Sequence, residues 1–112
     1  MALSRSTNNP ESSTRNFTAA VLDLVAQIPT GRVMSYGAVA ATLGSRAARQ
    51  VGKIMAHHGA SVPWWRVVRA DGHPPDSHAH AAHAHYLKEG TPLVASSRGA
   101  GYRVNMKLAA MR

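Results

Sequence analysis

The sequence predicts a mainly α, winged-helix-like domain built on a helix-turn-helix, with a small β ribbon. Three observations lead there. Apolar residues recur at helical spacing in three stretches within 16–58, a single glycine separates the second stretch from the third, and the later apolar runs are long enough only for brief strands. The chain has 112 residues, 45% of them hydrophobic, which suits one domain that buries about two-thirds of its unfolded surface. We therefore divide it into a mobile polar tail over 1–15 and a single domain over 16–112.

The tail is nearly all Ser, Thr, Asn, Arg, Pro and Glu, too polar to offset the entropy of ordering it. From Asn16 a first helix is expected, with Phe17, Val21, Leu24, Val25 and Ile28 on one face and Pro29 as its stop. Thr30-Gly31 turns the chain, and Arg32-Val33-Met34 forms one side of a small ribbon. Ser35 supplies an N-cap oxygen for a short second helix, which carries Val39, Ala40 and Leu43 inward and closes at Gly44. Ser45 is expected to cap a third helix running from Arg46 to His58, with Ala47, Val51, Ile54 and Met55 as its buried stripe. Pro63–Arg69 reads as a turn entering a strand, which would point Trp64 and Trp65 to opposite faces. A fourth helix starts at a Ser77 or Asp76 cap and ends at Gly90; a strand is expected at Tyr102-Arg103-Val104, and the residues after it carry no clear pattern.

Thirteen Lys and Arg against five Asp and Glu give a net charge of +8, so the natural partner is polyanionic, nucleic acid before an acidic membrane surface. At about 100° per residue, Arg46, Arg49 and Lys53 gather opposite the apolar stripe of the third helix. Ala48, Gly52 and Ala56 form a bare strip between the two faces, where another backbone could come close. The alternative is that these small residues serve packing on a neighbouring element and that the charges are a solvated face. Cysteine is absent, which removes disulfides, thiolate metal sites and any thiol nucleophile. No apolar run reaches the roughly 18 residues of a membrane span, and the first fifteen residues lack a signal-peptide core, so a soluble cytoplasmic protein is expected. His78, His80, His83 and His85 suggest a metal, yet only His80 and His83 are helical neighbours and no carboxylate completes a set. We expect neither metal nor cofactor.

The strings IPTGRVMSYGAVAATLG (28–44), RAARQVGKIM (46–55) and VPWWRVV (62–68), followed by Lys88-Glu89-Gly90, resemble the DNA-binding domain of the O6-alkylguanine-DNA alkyltransferases. The resemblance runs from Phe17 to Gly90. The transferases carry Pro-Cys-His-Arg-Val, and Trp64 stands here in the cysteine position. A tryptophan is no nucleophile, so alkyl transfer is excluded and the chain is similar instead to the alkyltransferase-like proteins. Those bind the alkylated base and pass it to nucleotide excision repair. They usually keep the histidine after that tryptophan, whereas this chain has Trp65.

The resemblance implies a non-enzymatic sensor that flips O6-alkylguanine out of duplex DNA, acts as a monomer and hands the lesion to excision-repair proteins. It implies that Arg49 enters the duplex in place of the extruded base, which offsets part of an unstacking cost of a few kcal/mol. Tyr36 would crowd the phosphate beside the target. Ala48 and Gly52 would let the third helix settle into a minor groove only about 6 Å wide. Met55 and Tyr36 would line the base pocket, Trp64 would floor it and Trp65 would stand in its wall. Ser35, Arg46 and Lys53 complete the DNA-facing set; Arg66 is structural or helps close the site, and Glu89 is structural. Two rivals remain from the residues alone: a helix-turn-helix transcriptional regulator that reads sequence in the major groove, and a metal enzyme built on the histidine-rich segment.

Overall fold

The computed structural model describes residues 10–111; the part of the expected tail over 1–9 lies outside them. Helix α1 spans Pro10–Ala26, six residues longer at its start than the apolar pattern suggests. A proline in the first helical position forfeits no bond, because that N–H has no intrahelical partner. The helix tightens as it ends, Gln27 N–H donating to Leu24 O and Ile28 N–H to Val25 O, and Val21, Val25 and Ile28 are buried.

Strand β1 is Met34–Ser35 and helix α2 is Tyr36–Thr42. The Ser35 hydroxyl accepts the Ala38 N–H at 3.0 Å, satisfying one of the donors a helix start leaves open. After α2, Gly44 takes φ +73°. Helix α3 is Ala48–His58, two residues shorter at its start than expected, because Ser45 does not cap it. The Ser45 hydroxyl instead accepts from Ala47 N–H at 3.0 Å, closing a local turn, and Ala47 becomes a cap residue without a side-chain bond. Arg46 and Ala47 thus precede the helix that was expected to carry them.

The tryptophan pair departs further from expectation. Trp64–Arg66 is a 3-10 turn, and strand β2 is only Val67–Val68. Arg66 N–H donates to Pro63 O at 3.0 Å, which coils the backbone before it can extend, so strand alternation does not set the directions of the two indoles. β2 pairs in parallel with β1, Met34 opposite Val67 and Ser35 opposite Val68. A 3-10 turn, Asp76–His78, leads into α4, Ala79–Glu89, with His78 in the cap position and no side-chain cap bond; the expected Ser77 cap is not made, and the alternative, the Asp76 side chain, lies outside what the structure describes. Gly90 closes α4 at φ +71°. Strands β3 (Leu93–Ala95) and β4 (Tyr102–Val104) form an antiparallel hairpin, and the chain continues through α5, Met106–Ala109, capped by Asn105.

Two cores result, and the short strands divide them. Met34 and Val67 join the core of α1, α2 and α3; their neighbours Val33 and Val68 join a second core with Tyr86, Tyr102 and Val104, as pleat alternation requires. Val33 also bridges in parallel to Ala110. Asp71 and His73 tie the loop after β2 to the hairpin: His73 Nδ1 lies 2.9 Å from Asp71 Oδ1 and Nε2 lies 2.8 Å from Ser96 Oγ, while Arg98 reaches Asp71 at 3.1 Å. Among the described residues no helix is long and apolar enough to cross a membrane.

Candidate nucleic-acid interface and base pocket

α2 and α3 pack against each other, and a cavity of about 390 Å3 opens beside them. Four of the residues singled out from the sequence meet there: Tyr36 from the start of α2, Gly52 and Met55 from α3, and Trp64 from the following turn. Ala56, Gly59 and Ala60, from α3 and the turn after it, add to the lining, and Pro75, Ser77 and His78, from the segment before α4, complete it. The volume falls within the usual range for small-ligand sites.

Trp64 sits at the seam of the molecule, packed against both cores. Its ring meets Trp65 edge-on at 5.6 Å and 87°, with His85 at 5.8 Å and His78 at 5.4 Å. Gly59 lets α3 end close to it: a Cβ there would lie 3.1 Å from Met55 Cε and 3.6 Å from Trp64 Cβ. The Tyr36 hydroxyl is held neutral by burial, which raises its pKa, against a smaller lowering by the Arg69 charge.

Trp65 is not part of the cavity wall, contrary to expectation. It stacks face to face on His85, 3.6 Å between centroids and 4° from parallel, and its Nε1 donates to Glu89 Oε2 at 2.8 Å. Glu89 is a hub. Its Oε1 accepts from Gly31 N–H and Arg66 Nε, both at 3.1 Å, and its Oε2 accepts from Arg66 Nη2 at 2.7 Å. Arg66 continues the set, Nη1 to Ile28 O at 2.8 Å and Nη2 to Thr30 Oγ1 at 3.2 Å. Burial alone would raise the Glu89 pKa, but the bonds from Arg66, Gly31 and Trp65 hold it below the ordinary value. This assembly fixes the turn on which Trp64 stands.

On the outer face of α3, Arg49 and Lys53 are exposed and their charged side chains have no hydrogen bond or ion pair among the described residues, as is true of Arg46 just before the helix. Ala48 is half-buried and lies outside the cavity. Gly52 is informative: a Cβ added there would meet nothing within 4 Å, so packing inside the protein does not demand its smallness. Ser35 serves as the α2 cap. The histidines find separate neighbours, His73 with Asp71, His83 with Tyr102 and His85 with Trp65, and no three metal-ligating side chains converge among the described residues. Pro75, Ser77 and His78 were missed as wall residues because their segment carries no readable period.

The model of a known family, the DNA-binding domain of 6-O-methylguanine DNA methyltransferase, matches residues 16–90. The chain belongs to this family, as an alkyltransferase-like member. The DNA base-flipping protein of Escherichia coli (strain K12) is 47% identical to this alkyltransferase-like chain over 60 residues, 51% of this chain and 46% of the relative. Alkyltransferase-like protein 1 of Schizosaccharomyces pombe is 44% identical over 59 residues, 50% of this chain and 55% of the relative. The match thus spans about half the length of these curated relatives. The crystal structure of S. pombe Atl1 in complex with damaged DNA containing O6-carboxymethylguanine superposes with a TM-score of 0.77 at 30% identity, covering 88% of this chain and 96% of that one. The mainly helical fold with its small sheets is the fold of that neighbour.

Proposed function

We propose that this chain is a non-enzymatic sensor of O6-alkylguanine in duplex DNA, which turns the modified base into the cavity over Trp64. The observation that carries the reading is the cavity itself: it opens against α3 beside Gly52 and Ala56, where the helix is barest, and an aromatic ring stands on its wall. The relatives' names, DNA base-flipping protein and alkyltransferase-like protein, and the neighbour's complex with damaged DNA support it.

α3 enters the minor groove, with Gly52 and Ala48 allowing close approach and Arg49 filling the space the base vacates. Tyr36 presses on the phosphate beside the target; Ser35, Arg46 and Lys53 meet the backbone. The damage-independent part of the affinity comes from phosphate contacts and falls steeply with salt. With tryptophan at position 64 and no cysteine in the chain, nothing accepts the alkyl group, so the lesion must be removed by other proteins. Nucleotide excision repair is the proposed recipient, and the sensor acts as a monomer. A regulator reading base edges would instead need side chains that reach into the major groove, and the flank of α3 beside the cavity offers none.

The test is a titration of two duplexes of one sequence, with O6-methylguanine or guanine at one position, at fixed near-physiological salt and read by tryptophan fluorescence. Tighter binding to the modified duplex, weakened more by Arg49→Ala than by Lys53→Ala and lost in Trp64→Ala, is expected. Equal affinity for the two duplexes refutes the reading and favours the regulator.

A further inference from the structure

Most of the cavity wall is apolar or small, but one side chain on it is an imidazole, the side-chain type used for pH-dependent charge. His78 lines the cavity and is itself exposed. Its one ring contact among the described residues is with Trp64, 5.4 Å between centroids at 54°. Its imidazole makes no hydrogen bond or ion pair among the described residues, so the ring nitrogens are open to whatever occupies the cavity. A carboxylate carried into a site walled by Met55, Trp64 and Pro75 would lose hydration and would need a charged partner within the site.

We propose that His78 makes this pocket select O6-adducts that end in an anionic group, carboxymethyl being the simplest, over neutral adducts of like size, and that the selection strengthens as His78 takes up a proton. The proposal deepens the lesion-sensor reading and rests on it. Other groups bear on the same space. Tyr36, which also lines the cavity, stays neutral. Arg69, whose charge reaches Tyr36, is a constant cation. His85 shares the Trp64 ring but does not line the cavity, and Asp76 lies two residues before His78 in the sequence. The dependence on pH must therefore be assigned by substitution at position 78.

The experiment compares three duplexes of one sequence carrying O6-carboxymethylguanine, O6-propylguanine or guanine, at pH 5.5 and pH 8.0 and constant ionic strength. The readout is the ratio of carboxymethyl to propyl affinity, in which the general gain in phosphate attraction from other protonated histidines cancels. The ratio should rise about 5- to 10-fold between pH 8.0 and pH 5.5, across the ordinary titration range of histidine. It should be flat in His78→Gln and retain its rise in His85→Gln. A flat ratio in the wild type, or an unchanged rise in His78→Gln, overturns the proposal while both lesions still outbind guanine. If neither lesion outbinds guanine, the sensor reading itself fails and this proposal falls with it.

Discussion

Removing the Glu89 carboxylate should destabilise the whole domain, because it ties α4 to two other parts of the chain, the turn after α1 and the 3-10 turn of the tryptophans. It accepts from the Gly31 amide after α1, from the Trp65 indole in the 3-10 turn and twice from Arg66. The Arg66 and Glu89 side chains are only 14% and 10% exposed, so water does not replace these bonds when one partner goes. Breaking a largely buried pair by deleting one member leaves the other charge uncompensated and costs about 3–5 kcal/mol. For Glu89→Ala we expect a loss in that range by urea denaturation, equivalent to a fall of about 12–20 °C in Tm for a domain near 100 residues. Glu89→Gln keeps the shape without the charge and should lose less, about 1–3 kcal/mol. Combining Glu89→Ala with Arg66→Ala should be strongly non-additive. A loss under about 1 kcal/mol in Glu89→Ala would refute the hub argument, because it would mean that the Arg66 guanidinium finds other partners at no cost.

Three further expectations follow from separate features. Gly52→Leu should raise stability by up to about 1 kcal/mol, since leucine forms helix better than glycine and nothing lies within 4 Å of the new Cβ. The same variant should bind duplex DNA more weakly in a fluorescence titration; unchanged binding would count against close approach at that flank. Gly72 takes φ +95°, and a Cβ there would run into the Val104 carbonyl oxygen, so Gly72→Ala should lose at least about 2 kcal/mol by urea denaturation, strain and collision adding. A loss below about 0.5 kcal/mol would show that the loop can move aside. The Asp71 pKa is lowered to about 2, chiefly by hydrogen bonds from the His73 backbone and side chain. A depressed carboxylate contributes stability that is present above its unfolded value near 3.9 and disappears as pH falls through about 2. The Tm difference between the wild type and Asp71→Asn should therefore be small, since the carboxylate is well exposed, constant above pH 5, and gone near pH 2. A difference that does not change over that interval would place the effect elsewhere.

How far the sequence reveals this molecule depends on how local the cause is. The capping of α2 by Ser35 and its close at Gly44, the end of α4 at Gly90 and the buried stripe of α3 are decided within one or two turns of chain, and they are legible. Ser45 shows the limit of that reading. The same hydroxyl that can cap a helix can close a two-residue turn, and which it does depends on how the chain leaves Gly44. The Trp64-Trp65 pair has strand composition, yet a bond back to Pro63 coils it, and the stacking of Trp65 on His85 joins residues twenty apart with no spacing rule to announce it. Strand β3 offers only three residues, none fully buried, and so no alternation to read. Of the candidate pocket, Tyr36, Gly52, Met55 and Trp64 came from the sequence, through the resemblance more than through periodicity. The wall at Pro75, Ser77 and His78 came only from the fold.

The closure of β1 against the far end of the domain bears on the order in which the molecule assembles. Val33 N–H donates to Ala109 O, Met111 N–H donates to Val33 O, and Arg32 clasps the carbonyls of Ala109 and Ala110. These contacts span more than seventy residues, whereas α2 and α3 meet across a turn. Contacts between neighbours in sequence form early and distant ones late, since a long loop must first lose its freedom. The helical pair that carries the proposed DNA-facing residues can therefore form while the chain is still being made, but the fold around the cavity is locked only after residues 109–111 have emerged. A growing chain would hold the proposed interface before it holds the completed cavity, and substitutions at Arg32 should speed unfolding more than they slow folding.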